Sequence, residues 1–169
     1  MSDESRHITE LLIGETKRRI RDECLERVLY CLDQLTEDQI WWRPNDQSNS
    51  IGNLVLHLCG NMRQWILAGL AGNQDVRQRQ QEFDERGPVS KNELKRQIQT
   101  VVGEIIPVIE QVMPEDLSTI HSVQVYRETG LAILIHVTEH FSYHTGQIAW
   151  ITKMLTSEDL GFYADVDLG

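Results

Sequence analysis

Apolar residues recur at intervals of three, four and seven along most of this 169-residue chain, and this spacing constrains the fold more than any other feature. Such intervals place side chains on one face of an α-helix, whereas a half-buried strand would alternate at every second residue. The pattern covers four segments, at about residues 5–35, 51–70, 91–112 and 129–155. It predicts an all-α four-helix bundle, in which amphipathic helices bury their apolar faces against one another.

Capping signals mark the ends of these helices. Thr36 to Gln39 has the form of a capping box, which predicts a break and a short helical restart before the loop at Pro44. Ser50 is placed to cap the second helix, and Ser90 with Glu93 forms another capping-box match at the start of the third. Caps and periodicity therefore agree on where the helices begin.

The connections between the helices are unequal in length. Residues 73–89 are polar and nearly devoid of apolar periodicity, so they predict a surface loop that can be partly helical. Residues 118–126 alternate and are rich in β-branched side chains, which is typical of a short extended segment. Pro107 predicts a kink in the third helix, and Leu131 is expected to face the core from the last. Residues 1–169 are expected to form one domain with at least one long crossover.

The charge of the chain disfavours two classes of partner. It carries 16 lysines and arginines against 26 aspartates and glutamates, a formal net charge of −10. Binding to a nucleic-acid backbone depends on lysine and arginine displacing counterions, and anionic membranes attract the same side chains. We therefore expect neither nucleic acid nor membrane as a partner.

No stretch of the sequence predicts export or membrane insertion. The opening residues, MSDESRHITELL, lack the basic and apolar regions of a secretory signal, and the most apolar run, Leu131 to Val137, is too short to cross a bilayer. Cys24, Cys31 and Cys59 match no CxxC motif and are expected to be buried free thiols. These observations predict a cytoplasmic protein.

Three histidines stand four residues apart in the last predicted helix, at positions 136, 140 and 144. Each step turns the side chain by about 40°, so they form one stripe, and an i, i+4 pair can place two imidazoles on one metal ion. The pattern alone is equally compatible with a coincidence in the core or at the surface. His57 lies beside the apolar stripe of the second helix, where a lone histidine is more commonly a hydrogen-bonded core residue. An ion shared between neighbouring helices would satisfy all of these rings.

Two segments resemble the DinB-like (YfiT-like) superfamily of metal-dependent enzymes: SIGNLVLHLCGN at residues 50–61 and EHFSYHTGQI at residues 139–148. The Trp41–Pro44 loop and the terminal helix also match, so the resemblance covers nearly the whole chain, and it points to a branch of unknown function. It implies an up-down-down-up bundle with a long crossover, commonly a homodimer. The metal ligands that the resemblance implies are His57, His140 and His144.

Three neutral imidazoles leave at least one coordination position open, which is typical of a catalytic site. Zinc is the expected divalent ion, although nickel or iron would accept the same ligands. The superfamily includes thiol transferases and thiol-dependent isomerases, so the resemblance implies a small-molecule substrate, for example a low-molecular-weight thiol. The expected function is activation of that thiol or of water, as in a transferase or a hydrolase. A non-catalytic metal-binding module and a metal-free interaction module are the alternatives.

No catalytic nucleophile, general base or oxyanion donor can be named from the sequence. His136 lies a full helical turn from the ligand pair, so it is expected to hydrogen-bond near the site or to line its cavity. Gln147 and Asn61 can each orient a ligand ring or bound water, or only make polar contacts in the core. His7 and His121 are expected at the surface or in loops.

The tryptophans divide into two pairs. Trp65 and Trp150 are expected in the bundle core. Trp41 and Trp42 are adjacent in a loop, so they cannot both face one small core, and they can rim a pocket or a dimer seam.

Overall fold

The computed structural model describes residues 3–87, 89–164 and 166–167, which form a mostly helical chain with one β-hairpin. Its elements are, in chain order, α1 (Asp3–Lys17), a π-helical stretch (Arg18–Leu25), α2 (Glu26–Asp33), α3 (Glu37–Trp41), α4 (Ile51–Met62), a second π-helical stretch (Arg63–Leu70), α5 (Arg79–Asp84), α6 (Lys91–Glu110), α7 (Pro114–Ser118), β1 (Ile120–Val123), β2 (Tyr126–Thr129) and α8 (Gly130–Thr156).

Four long helical segments pack around one apolar core. α4 lies against α6 and α8, and α2 and the first π-helical stretch also lie against α8. Each segment contributes fully buried side chains, among them Ile20, Leu32, Ile51, Leu58, Met62, Ile98, Ile105 and Phe141. Burial of one such side chain contributes about 1.5–3 kcal/mol, so packing of the apolar faces stabilises the bundle. The predicted helical fold is confirmed, while the up-down-down-up order stays a prediction.

Two complete capping boxes begin helices where the sequence predicts them. The Thr36 hydroxyl accepts from the Gln39 N–H, and Gln39 Oε1 accepts from the Thr36 N–H. Ser50 forms the same reciprocal pair with Asn53, and both residues are fully buried. Caps of this kind satisfy backbone donors that have no partner within the first helical turn.

The third long helix departs from expectation at its start. Ser90 Oγ accepts from the Glu93 N–H, but the Glu93 carboxylate accepts from the guanidinium of Arg96. The predicted capping box is therefore only half formed, because a charge-assisted bond competes for the carboxylate. α6 then continues through Pro107 to Glu110.

The segment expected to be extended forms an antiparallel β-hairpin. Val123 lies opposite Tyr126, and Gln124 at the turn has a left-handed φ of 55°. Val123 packs against Gly69, where a side chain would overlap it, so the hairpin covers the end of the second long helix. His121, expected at the surface or in a loop, lies in β1 and is half-buried, so only the loop alternative is wrong.

Side-chain burial departs from the predicted pattern in the first turn of α8. Leu131 is 41 % exposed, because Ile133 and Leu134 occupy the core-facing side of that turn. The three cysteines are buried and free, as expected, and burial raises the pKa of Cys59 to about 12. In the part of the chain that the structure describes, no helix is both long and apolar enough to cross a membrane.

Candidate metal centre

α4 and α8 bring three of the predicted histidines together, His57 from α4 and His140 and His144 from consecutive turns of α8. One donor nitrogen of each lies within 4.8 Å of the other two. The Nε2 atoms of His57 and His140 are 2.9 Å apart, and the ring centroids of His57 and His144 are 5.1 Å apart. This three-histidine group could hold a metal ion.

The ring of His57 is held by Glu82 of α5. Its Nδ1 atom lies 3.0 Å from Glu82 Oε2 and 3.1 Å from Arg77 Nη2. Arg77 already donates to both oxygens of the carboxylate at 2.7 Å, and two bare acceptors 3.0 Å apart would repel each other. We therefore assign the proton to His57 Nδ1, which donates to Glu82 and leaves the Nε2 lone pair facing His140.

Arg77 and Glu82 form a buried ion pair beside this ring, with side chains that are 5 % and 10 % exposed. Burial opposes the charge of Glu82, but hydrogen bonds from Arg77 and His57 outweigh it and hold the pKa of that carboxyl below its ordinary value. Glu82 is therefore an anion at neutral pH. Its charge makes His57 Nε2 a better donor to a cation.

The ion pair lies in a segment that the sequence predicts as a surface loop. α5 confirms the helical part of that expectation, but Arg77 and Glu82 are buried, so the surface assignment is wrong for them. Asn53 donates to two backbone carbonyls of the α5 segment at 2.9 Å each, and Gly60 leaves the space that the pair fills. Because the segment has no apolar periodicity, its local sequence pattern does not predict that these two residues are buried.

Gln147 holds the second buried ring of the group. His144 Nδ1 lies 2.7 Å from Gln147 Oε1, and because an amide oxygen can only accept, Nδ1 carries the proton. The lone pair of His144 is then on Nε2. Gln147 therefore orients one ring of the three-histidine group.

His136 stands outside the three-histidine group, as expected. Its ring stacks on Trp65 at 3.8 Å between centroids and lies 5.3 Å from the ring of His140. Asn61 Nδ2 donates to His136 Nε2 at 3.2 Å, so Asn61 supports this neighbouring ring.

Burial keeps the histidines of α8 neutral. It lowers the pKa of His140 to about 3, with the neighbouring His144 and His57 adding repulsion. Burial also lowers the pKa of His144, partly opposed by the hydrogen bond to Gln147, and the pKa of His136. Neutral imidazole is the form that binds metal ions, so these rings are ready to act as ligands at neutral pH.

We expect the metal-free protein to lose stability as the pH falls from 6.5 to about 3. An unfolded histidine takes up its proton near the upper value and the folded His140 only near the lower one, so between them the unfolded chain binds more protons. The free energy of unfolding therefore decreases as the pH falls. Urea unfolding at a series of pH values measures this, and His140→Gln should show a shallower dependence. Equal dependence in both proteins would contradict a buried, neutral His140.

Comparison with known proteins places the chain in a family. The model of a family described as a protein of unknown function, DUF1572, matches residues 9–164. The chain belongs to the DUF1572 family. No curated protein matches it.

Two solved structures have the same fold as this DUF1572 chain. A DinB-like protein from Bacillus cereus ATCC 10987 aligns with a TM-score of 0.62 and 17 % identity, over 78 % of this chain and 85 % of its own. A DinB-like protein from Bacillus subtilis, YjoA, aligns with a TM-score of 0.64 and 20 % identity, over 89 % and 96 %. The resemblance to DinB-like proteins is thus confirmed for the fold.

A cavity of about 340 Å³ opens onto the three-histidine group of the DUF1572 chain. His57 and His140 line it, together with His136, Trp65 and Arg79. A small molecule in this cavity would therefore reach two of the three converging rings.

The tryptophans have different surroundings. Trp65 is buried, as expected, but the expectation that Trp150 lies in the core is wrong, because it is 65 % exposed on α8. Trp41 Nε1 donates to the carbonyl of Val89 at 3.1 Å. Trp42 lines a second cavity with Trp150, so it rims a pocket, one of the two roles left open for it.

Proposed function

We propose that this DUF1572 chain is a metal-dependent enzyme that holds one divalent ion through His57, His140 and His144 and activates a thiol or water. The observation that carries the proposal is the convergence of three imidazoles beside a cavity. Zinc is the proposed ion, with nickel or iron compatible with the same ligands. The proposed substrate is a small molecule such as a low-molecular-weight thiol, and the proposed setting is a cytoplasmic homodimer.

The donor set fits such an ion. Glu82 and Gln147 hold the Nδ1 protons of His57 and His144, so both rings offer the Nε2 lone pair, as metal-binding imidazoles do. The lowered pKa of His140 keeps its ring neutral as well, with one nitrogen lone pair available. Three protein ligands leave room for a fourth, which suits a substrate or a water molecule.

A bound ion would lower the pKa of a thiol or water at the open coordination position. The chain's own residues would bind and orient the reactants. Trp65 and His136 form a stacked aromatic wall of the cavity, while Asn61 and Arg79 contribute N–H donors to its lining. α5 covers His57 and limits the approach of solvent to that ring.

Activity screening tests the proposal. Metal-loaded protein is incubated with common low-molecular-weight thiols and an electrophile, and separately with simple esters and amides. We expect conjugation or hydrolysis that disappears after chelation and in the His140→Ala variant. Turnover that survives chelation would contradict metal dependence. Full metal retention without turnover would favour the non-catalytic metal-binding alternative.

Glu82→Gln is expected to weaken metal binding about 10–100-fold, the usual cost of removing a partner that orients a metal-binding histidine. The amide keeps the size of the side chain but removes the negative charge next to His57. Competition with a chelating dye measures the change in affinity. Asp84→Asn, an exposed carboxylate on the same helix, serves as the control and should bind metal as the parent does. Equal affinities in both variants would exclude the orienting role of Glu82.

A further inference from the structure

A second cavity, of about 570 Å³, is lined by Gln147, the side chain that holds His144. One wall comes from α8, with Tyr143 and Trp150, and another from Trp42 in the loop before α4. The cavity is thus separate from the one that opens onto His57 and His140, yet it shares a hydrogen-bonded side chain with the three-histidine group.

The aromatic side chains around this cavity are unusually exposed. Trp150 is 65 % and Tyr143 59 % exposed, and Met154 is also exposed. Trp150 and Met154 follow Tyr143 by seven and eleven residues along α8, so the three side chains share one face of the helix. Exposed aromatic side chains that surround a cavity of this size are typical of a ligand pocket, because they offer apolar area at little conformational cost.

The lining contains no charged side chain among the described residues, although 25 % of the chain is charged. Its polar groups include side-chain amides, such as those of Asn49 and Gln147, and the hydroxyls of Ser48 and Tyr143. A carboxylate would find no cation here, and an ammonium group no anion. Because burying an unpaired charge is costly, the cavity suits a neutral ligand.

Gly146 lies in the lining between these aromatic side chains. A glycine inside a helix costs about 0.5–1 kcal/mol relative to alanine, so its presence calls for a reason. Close packing is not that reason, since nothing lies within 4 Å of the position that its Cβ would take. The missing side chain leaves the space between Tyr143 and Trp150 open.

We infer that this cavity binds a neutral, flat, largely apolar group of a small molecule, which stacks on Trp150 and Trp42. The inference deepens the proposed function and rests on it in one respect: the bound group is the non-reacting part of the substrate of the neighbouring three-histidine group. Contact with Gln147 then connects occupancy of the cavity to the ring of His144.

Titration with N-phenyl-1-naphthylamine, a neutral aromatic probe that fluoresces in apolar surroundings, tests the inference. We expect saturable binding at one site per chain, in metal-loaded and in chelated protein. Gly146→Leu places a side chain in the cavity and should weaken probe binding about tenfold or more, because the probe then buries less apolar surface. Trp150→Ala should also weaken it, and this exposed side chain can be removed without disturbing the core.

Gly103→Leu is the matched control. Gly103 is also an exposed helical glycine with nothing within 4 Å of its Cβ position, but it does not line the cavity. Its replacement should leave probe binding unchanged. Binding that is unaffected by both Gly146→Leu and Trp150→Ala would overturn the inference. So would a dimer, seen by sedimentation, that Gly146→Leu dissociates, because a second copy would then occupy the cavity.

The two proposals can fail separately. Probe binding to chelated protein does not depend on the three-histidine group, and metal content does not depend on the aromatic cavity. A chain that binds the probe but no metal would refute the proposed function and the link of the bound group to its substrate, and would leave the cavity assignment standing. Metal-dependent turnover without probe binding would refute only the cavity assignment.

Discussion

His57→Ala and His140→Ala are each expected to lower the metal content of the purified protein from about one ion per chain to almost none. Each change removes one of three converging nitrogens, and the two that remain cannot hold an ion against dialysis at neutral pH. Elemental analysis of dialysed protein, with the chain concentration measured in parallel, gives the ratio directly.

Two further histidines provide the controls for this experiment. His7→Ala changes an exposed ring and should retain the metal. His136→Ala removes a ring that stacks on Trp65 outside the three-histidine group, and it should retain the metal as well. Full retention in His57→Ala would refute the assignment of the ligands, and loss in His136→Ala would require a different ligand set.

Arg77→Met is expected to lower the free energy of unfolding by about 3–5 kcal/mol, as is usual when one partner of a buried ion pair is removed. The variant leaves the Glu82 carboxylate buried beside His57 without its guanidinium, which donates two hydrogen bonds. Urea unfolding measures the loss. The double variant Arg77→Met with Glu82→Gln should recover much of it, because no unpaired charge then remains buried.

Arg63 offers a matched comparison, since it pairs with Glu104 at the surface, where both side chains are well exposed. Arg63→Met should cost at most about 1 kcal/mol, because solvent screens an exposed pair. If Arg77→Met and Arg63→Met destabilise the protein equally, the Arg77–Glu82 pair is not buried as described. A large loss only for Arg77→Met would also explain how a polar segment stays docked over the site.

The helices were predictable because their determinants are local. Spacing of apolar residues sets which face of a helix can be buried, and the capping side chains of Thr36 and Ser50 lie within one turn of the backbone groups they satisfy. The exceptions show where local pattern fails. Leu131 has the periodicity of a core residue but lies in the first turn of α8, where neighbouring side chains already fill the core.

Two members of the three-histidine group were predictable for a related reason. The i, i+4 spacing of His140 and His144 is a property of one helix, and resemblance to a family supplied His57. The usual burial of tryptophan predicts a core position for Trp150, yet its side chain is exposed beside a cavity. The type of a residue indicates only its average burial, and aromatic side chains at binding surfaces depart from that average.

The sequence by itself determined the number of long helices, the residues that begin them and the His140–His144 pair, since each depends on side chains a few positions apart, while resemblance to a family added His57. Only the tertiary structure decided that Arg77 and Glu82 reach His57, across 20 and 25 residues of chain. It also decided which face of α8 stays uncovered. The physical reason is that a buried polar contact forms only where two distant segments pack together. The periodic pattern of either segment does not specify which side chain of the other it will contact.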